Sequence, residues 1–251
     1  MTLLLETFPF QTYAVAVLIV LGAYVVFGLT GFGSTVIALP LLALMLPLKF
    51  VVPLLMMLDL SATLLLGARF RKGIRYDELV WLVPFILIGM ALGLTLLIKV
   101  AEASLLLGLG VFVLLYALYG FTRSGAPLPL GRIWSGPIGL AGGALSALFG
   151  TGGVLFAIYI AGRITDKNEM RATNASTIML SALIRVVLFG AAGLLTQEHL
   201  LLFWVLLVPA MLAGFYLGNR LHSVLPAAGV VRVVYSVLVV AGVTLLVRGT
   251  A

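Results

Sequence analysis

The sequence predicts an all-α, polytopic membrane protein, and three observations carry that prediction. Of its 251 residues, 63% are hydrophobic and 9% are charged, whereas an ordinary soluble domain carries about 25% charged residues. The mean hydropathy is +1.27, so a hydrocarbon-facing surface is required. The apolar residues run unbroken instead of alternating as in a transmembrane barrel, and in lipid only helices and closed barrels satisfy their own backbone.

Two further exclusions follow from composition. Cysteine is absent, which removes disulfides, thiol catalysis, thiolate metal sites and Cys-linked lipids. The net charge is +7, with 15 Lys and Arg, but these are scattered over short loops. That pattern fits the positive-inside rule better than a nucleic-acid face. Met1 to Phe10 contains Glu6, no basic residue and no small-residue cleavage pattern, so the first apolar segment is expected to be a retained helix and not a signal peptide.

Charged residues mark where the chain leaves the hydrocarbon, and one crossing needs about 20 apolar residues. From Thr7 to Leu48 there are 42 uncharged residues, too many for one crossing. The cluster Gly28-Leu29-Thr30-Gly31-Phe32-Gly33-Ser34-Thr35 sits near the middle of this run, where glycine permits the turned backbone that other residues resist. A helical hairpin over 12–46 is predicted. Next comes a span over 50–68 with a single charge, Asp59, before the basic cluster Arg69, Arg71, Lys72 and Arg75. Twenty uncharged residues between Glu78 and Lys99 and 20 between Glu102 and Arg123 give spans over 79–98 and 104–121. A Gly- and Pro-rich linker with Arg123 and Arg132 occupies 122–134.

The second half repeats the pattern. Thirty uncharged residues from Ile133 to Gly162 enclose Gly150-Thr151-Gly152-Gly153, predicting a second hairpin over 135–162. A span over 172–194 follows with Arg185 inside it, then spans over 200–219 and 228–247. Hairpin plus three spans therefore occurs twice, over 1–121 and 135–251. Gly31 corresponds to Gly150, and Gly89-x-x-x-Gly93 to Gly214-x-x-x-Gly218. The Gly-x-x-x-Gly pairs read as helix-packing surfaces.

The basic residues decide between hairpins and kinked single spans. With Arg185 left out because it lies inside a span, single crossings would divide the other 14 seven against seven, whereas two hairpins divide them eleven against three. The hairpin topology obeys the positive-inside rule, with both termini outside and Arg71 and Arg163 on the cytoplasmic side. Because the two hairpins then enter from opposite faces, the halves are inverted repeats, the usual architecture of secondary transporters.

At each hairpin tip a helix begins just after the glycines, at Ser34 and at Gly153. Helix N-termini favour anions through unpaired N–H groups and the macrodipole. Gly31, Phe32, Gly33, Ser34 and Thr35 of the first tip, and Phe149, Gly150, Thr151, Gly152 and Gly153 of the second, are the candidate substrate contacts. In the span over 172–194, Asn174, Thr177, Ser181 and Arg185 recur at three- and four-residue spacing and share one helix face. An intramembrane cation needs a partner. Two readings stand side by side: an Asp59–Arg185 structural ion pair, or Arg185 binding an anionic substrate while Asp59 carries a coupling proton. Neither His199 nor His222 has a carboxylate at metal-ligand spacing, so no metal or cofactor is expected. Trp81, Trp134 and Trp204 near span ends read as interfacial anchors.

Gly31-Phe32-Gly33-Ser34 leading to Ala38-Leu39-Pro40-Leu41-Leu42, together with Ala144-Leu145-Ser146-Ala147-Leu148-Phe149-Gly150-Thr151-Gly152-Gly153, resembles the paired motifs of the TauE/SafE family, also called the 4-toluene sulfonate uptake permease family. The stretch Asn168-Glu169-Met170-Arg171-Ala172-Thr173-Asn174-Ala175-Ser176-Thr177 is similar to the family segment after the second motif. The chain departs from many relatives in following Gly153 with Val154 instead of more glycine and a proline. The resemblance implies a bacterial inner-membrane permease for small organosulfur anions such as sulfite or sulfonates. The inverted-repeat architecture leads to the expectation of alternating access with a coupling ion, and membrane lipid and a homo-oligomer are the further partners expected. The residues themselves imply an anion. An intramembrane enzyme would need an acid/base or metal constellation that Asp59 and Arg185 alone do not supply, and a structural subunit would leave the duplicated glycine tips without a purpose.

Overall fold

A computed structural model describes residues 10–30, 33–66, 73–122, 129–221 and 227–250. They form ten α-helices: α1 (Phe10–Thr30), α2 (Ser34–Leu42), α3 (Leu48–Leu66), α4 (Tyr76–Lys99), α5 (Glu102–Thr122), α6 (Ser135–Phe149), α7 (Gly153–Arg163), α8 (Lys167–Ala191), α9 (Leu200–Leu221) and α10 (Ala227–Thr250). A 3-10 turn, Arg132–Trp134, precedes α6. There is no strand among the described residues.

Among the described residues five segments are long and apolar enough to cross a bilayer: Gln11–Leu29, Tyr76–Lys99, Glu102–Tyr119, Lys167–Ala191 and Leu200–Leu221. The first of these is an arm of the predicted first hairpin. The glycine cluster marks the turn, and α2 begins at Ser34 just after it, but the chain divides the 42-residue run unequally. The 21 residues of α1 extend about 31 Å, whereas the nine of α2 extend about 13 Å, at 1.5 Å per residue. The second hairpin is more even, with 15 residues in α6 and 11 in α7.

The chain divides into two compact units. The first comprises Met1–Asp59, Ala101–Arg123 and Leu195–Ala251. In it α1 packs along α9, α5 packs along α10, and α2 lies against α1, α5 and α10. Small residues bring the α1 and α9 backbones together: a Cβ on Gly214 would stand 2.4 Å from the Leu21 carbonyl oxygen, and one on Gly218 2.1 Å from that of Val25. Tyr13, Phe203 and Phe50 pack ring on ring beside this contact, with centroids 4.6 Å and 5.2 Å apart.

The second unit comprises Leu60–Val100 and Ser124–Leu194. Its main contact is α4 along α6, with α7 against α6 and α8, and α8 against α4. A Cβ on Gly89 would fall 2.2 Å from the Leu140 carbonyl oxygen, and one on Gly93 2.4 Å from that of Ala144. Both Gly-x-x-x-Gly pairs therefore lie at backbone-to-backbone crossings, where van der Waals contact drives association in lipid. Each unit combines early and late chain: α1 pairs with the late α9, and α6 pairs with the early α4.

Candidate functional site

In the first unit the tip is closed by Gly33, whose φ of +92° places it in the left-handed region that L side chains resist. It caps α2, and the two residues that follow, Ser34 and Thr35, are buried. Both hydroxyls point at Asp59 of α3. Ser34 Oγ donates to Asp59 Oδ1 at 2.7 Å, and Thr35 Oγ1 donates to Oδ2. Tyr24 of α1, fully buried, donates its phenol to Oδ1 at 2.6 Å. The N-terminus of α2 thus already faces an acidic side chain of the protein itself. Gly31 and Phe32 lie outside the described residues.

Tyr24 was missed by the sequence reading. Its signal was present, because tyrosine concentrates at membrane interfaces and this one sits deep within an apolar helix. Only the fold could say that its partner lies 35 residues away.

The second unit builds its tip differently. Helix α6 ends at Phe149, and Gly150 at φ +68° reverses the chain, its N–H donating to the Ser146 carbonyl at 3.0 Å. This left-handed C-terminal residue satisfies carbonyls that would otherwise be orphaned. At the start of α7 a Cβ on Gly152 would lie 2.0 Å from the Gly142 carbonyl oxygen, so only glycine allows α7 to begin against α6. At Gly153 the nearest contact is Ile178 of α8 at an ordinary 3.5 Å. Phe149 is buried at the same bend.

Around that bend α8 presents the face read from the sequence. Thr177, Ser181 and Arg185 are buried, and Asn174 is half-buried. Ser181 and Ser146 share a hydrogen bond of 2.9 Å, and Arg185 Nη1 donates to the Ser146 carbonyl at 3.1 Å. Thr177 donates to the Thr173 carbonyl of its own helix at 2.8 Å, a local bond that occupies its proton. Two atoms stand apart. Thr151 Oγ1 and Asn174 Oδ1 are buried without a hydrogen-bond partner, and Thr151 is only 4% exposed. A buried polar group left unpaired costs about 1 to 3 kcal/mol, which a fold tolerates where a ligand completes the bond.

Charges outside the two tips also have defined partners. Glu78, at the start of α4, is 3% exposed, accepts from Arg163 Nη2 at 2.7 Å and from the Tyr159 phenol at 2.8 Å, and lies 3.7 Å from Arg132 Nε. Arg75 pairs with Asp77 at 2.9 Å and Glu169 at 3.3 Å. The Asp77 hydrogen bond, then Glu169, hold its guanidinium above its ordinary pKa. In the sequence Arg75, Arg132 and Arg163 serve only for orientation; in the fold Arg163 ties the end of α7 to α4, Arg132 ties the linker to α4, and Arg75 ties the start of α4 to α8. In the first unit Arg248 donates to the carbonyls of Ala43 and Leu44 past the end of α2, and Glu102 accepts from the Leu48 N–H at 3.0 Å. Trp204, read as an interfacial anchor, has its indole N–H buried without a partner. Among the described residues no three of His, Cys, Asp and Glu gather as a metal site would require.

Helices long enough to span a bilayer, with glycine-led helix starts and buried polar groups in otherwise apolar units, belong to a multi-pass membrane protein, and the family match makes it a transporter and not an enzyme. The family model described as "Sulfite exporter TauE/SafE" matches residues 16–245. The chain belongs to the TauE/SafE family. A curated relative, "Probable inner membrane transporter protein TsaS" of Comamonas testosteroni, is 25% identical over 195 residues, covering 76% of this chain and 81% of that protein. This supports a multi-pass location in the inner membrane. No solved structure matches the chain.

Proposed function

We propose that the protein moves a small sulfur oxyanion, an organosulfonate or sulfite, across the inner membrane by alternating access. The observation that carries this reading is the buried Thr151 hydroxyl, left without a partner at the glycine bend where α7 begins. In this reading Arg185 supplies the charge attracting the anion. Thr151, Asn174 and the backbone around Gly150, Gly152 and Gly153 receive its oxygens, while Phe149 walls the bend and Thr177 shapes the α8 face. The family description, a sulfite exporter, supports the sulfur oxyanion, and the relative's name supports inner-membrane transport.

In the first unit the tip Gly31 to Thr35 offers its own contacts to the substrate, and Asp59 carries the coupling proton. The halves 1–121 and 135–251 act as inverted repeats, each a hairpin with three spans, joined by the linker 122–134. The reciprocal pairing of α1 with α9 and of α6 with α4 supports this, since an internal two-fold relation exchanges those two pairs.

The test is uptake and release of labelled sulfite and a panel of sulfonates in proteoliposomes. Saturable flux of at least one sulfur oxyanion above protein-free vesicles is expected. Vesicles that carry none of them, in either direction and with or without a pH gradient, would refute the reading.

A further inference from the structure

The first tip surrounds a carboxyl group with neutral hydroxyls. Neither α1 nor α2 contains a charged residue, and the groups facing Asp59 from them are the Tyr24 phenol and the Ser34 and Thr35 hydroxyls. Tyr24 is the titratable one. The charged side chains described on the two other helices that α2 lies against, α5 and α10, are engaged away from the tip. Glu102 of α5 binds at Leu48, eleven residues before Asp59 and about 16 Å along α3. Arg248 of α10 binds past the far end of α2, at Ala43 and Leu44.

Each serine or threonine hydroxyl has one proton to donate. While Asp59 is ionised, Ser34 and Thr35 spend theirs on its oxygens. An oxyanion arriving at this tip would meet their lone pairs and a like charge in a medium that screens poorly. Protonation changes both conditions. The neutral carboxylic acid is a weaker acceptor, it carries a donor of its own, and the like charge is gone.

We propose that Asp59 sets the sign of coupling: its protonation hands the Ser34 and Thr35 hydroxyls to the substrate, so proton and anion bind together and cross in the same direction. This rests on the reading of the protein as an anion transporter. By linkage the effect is reciprocal, since whatever factor protonation adds to anion affinity, the anion adds to proton affinity. The proton arrives from water on the side where substrate enters and leaves with it on the other side. No bond other than O–H is made or broken.

Benzenesulfonate is the discriminating probe, because it is the anion of a strong acid and keeps one charge throughout the working range, whereas sulfite titrates. Its binding to the full-length purified protein is measured by calorimetry from pH 5 to 8. Wild type should bind more tightly as pH falls, by up to about tenfold per unit, the limit for one linked proton. Asp59→Asn should bind at the acid-limit affinity at every pH. Ser34→Ala with Thr35→Val, its folding confirmed by melting temperature, should bind weakly at every pH. In wild-type proteoliposomes with the potential clamped, benzenesulfonate influx should make the external medium more alkaline.

Wild-type affinity that ignores pH or strengthens with alkali overturns the proposal, as does external acidification or no pH change during influx. These readouts use wild type, so they stand even if the Asp59 variant does not fold. Absence of binding by both benzenesulfonate and sulfite at every pH is a different failure, because it removes the anion-transport reading itself.

Discussion

The two hairpin tips begin from the same sequence device, a glycine cluster followed by a helix, yet they differ in what their polar groups already touch. At the first tip, Ser34 and Thr35 are bound to Asp59, with Tyr24 completing the set. At the second, Thr151 Oγ1 is buried without a partner and the charged neighbour on α8 is a cation, Arg185. One tip is bound to the protein's own carboxyl group, and the other holds a hydroxyl without a partner. A glycine motif therefore predicts a turn and a helix N-terminus but not what surrounds it. That is set by a side chain on another helix, Asp59 on α3 or Arg185 on α8.

The sharpest way to break the comparison is steric. Gly152→Val puts branched carbons where a Cβ alone would be 2.0 Å from the Gly142 carbonyl oxygen. That obstacle is backbone, so it cannot rotate away. The cost should exceed the usual 1 to 3 kcal/mol, roughly, of an overpacked site, with a large fall in melting temperature and loss of anion binding. Gly33→Ala is the control at the other tip. Its Cβ would meet nothing within 4 Å, but φ is +92°, so only the left-handed strain of about 1 to 2 kcal/mol applies. Equal melting temperatures for the two variants would contradict the packing described at Gly152.

Much of this fold was legible because charges end helices in a membrane. Spans drawn at 79–98, 104–121, 172–194 and 200–219 fall within α4, α5, α8 and α9 apart from the last residues of the third. The polar face of α8 was legible for a related reason: in an otherwise apolar helix, Asn174, Thr177, Ser181 and Arg185 are the exceptions that reveal periodicity. Where that contrast disappears, so does the information. The first 42-residue run carries no charge, so nothing in it marked α1 as long and α2 as short. The Tyr24–Asp59 contact and the pairing of α1 with α9 are long-range, and small residues such as Gly214 and Gly218 announce a close approach without naming the partner. Counting basic residues for orientation also passed over Glu78, whose burial depends on Arg163 and Tyr159 arriving from α7.

Charge offers a second, smaller perturbation. Arg185→Gln removes the cation beside the second tip and its bond to the Ser146 carbonyl. Hydrogen bonds to charged groups contribute about 1.5 to 3 kcal/mol, so benzenesulfonate affinity should fall about tenfold or more. The loss should be the same at every pH from 5 to 8, because the guanidinium does not titrate there. Asp59→Asn should do the reverse, changing the pH dependence while keeping high affinity. If Arg185→Gln instead abolishes the pH dependence and Asp59→Asn lowers affinity uniformly, the roles assigned to the two tips are exchanged.

The smallest effect concerns single hydroxyls, and it separates the tips by sign. Thr151→Val replaces an unpartnered buried hydroxyl with a methyl of similar shape. Folding then no longer strips water from a group that gains no bond in return, and an unsatisfied group costs about 1 to 3 kcal/mol. The unliganded protein should melt at the same temperature or slightly higher, while benzenesulfonate affinity falls several-fold. Ser34→Ala removes a donor from Asp59, which accepts its bond at 2.7 Å, so that variant should lose stability by about 1 to 3 kcal/mol. Paired melting and binding curves for the two variants give the comparison. A destabilised Thr151→Val with unchanged affinity would mean that this hydroxyl supports the bend and not the ligand, leaving Arg185 and the backbone at Gly152 and Gly153 to account for anion binding at the second tip.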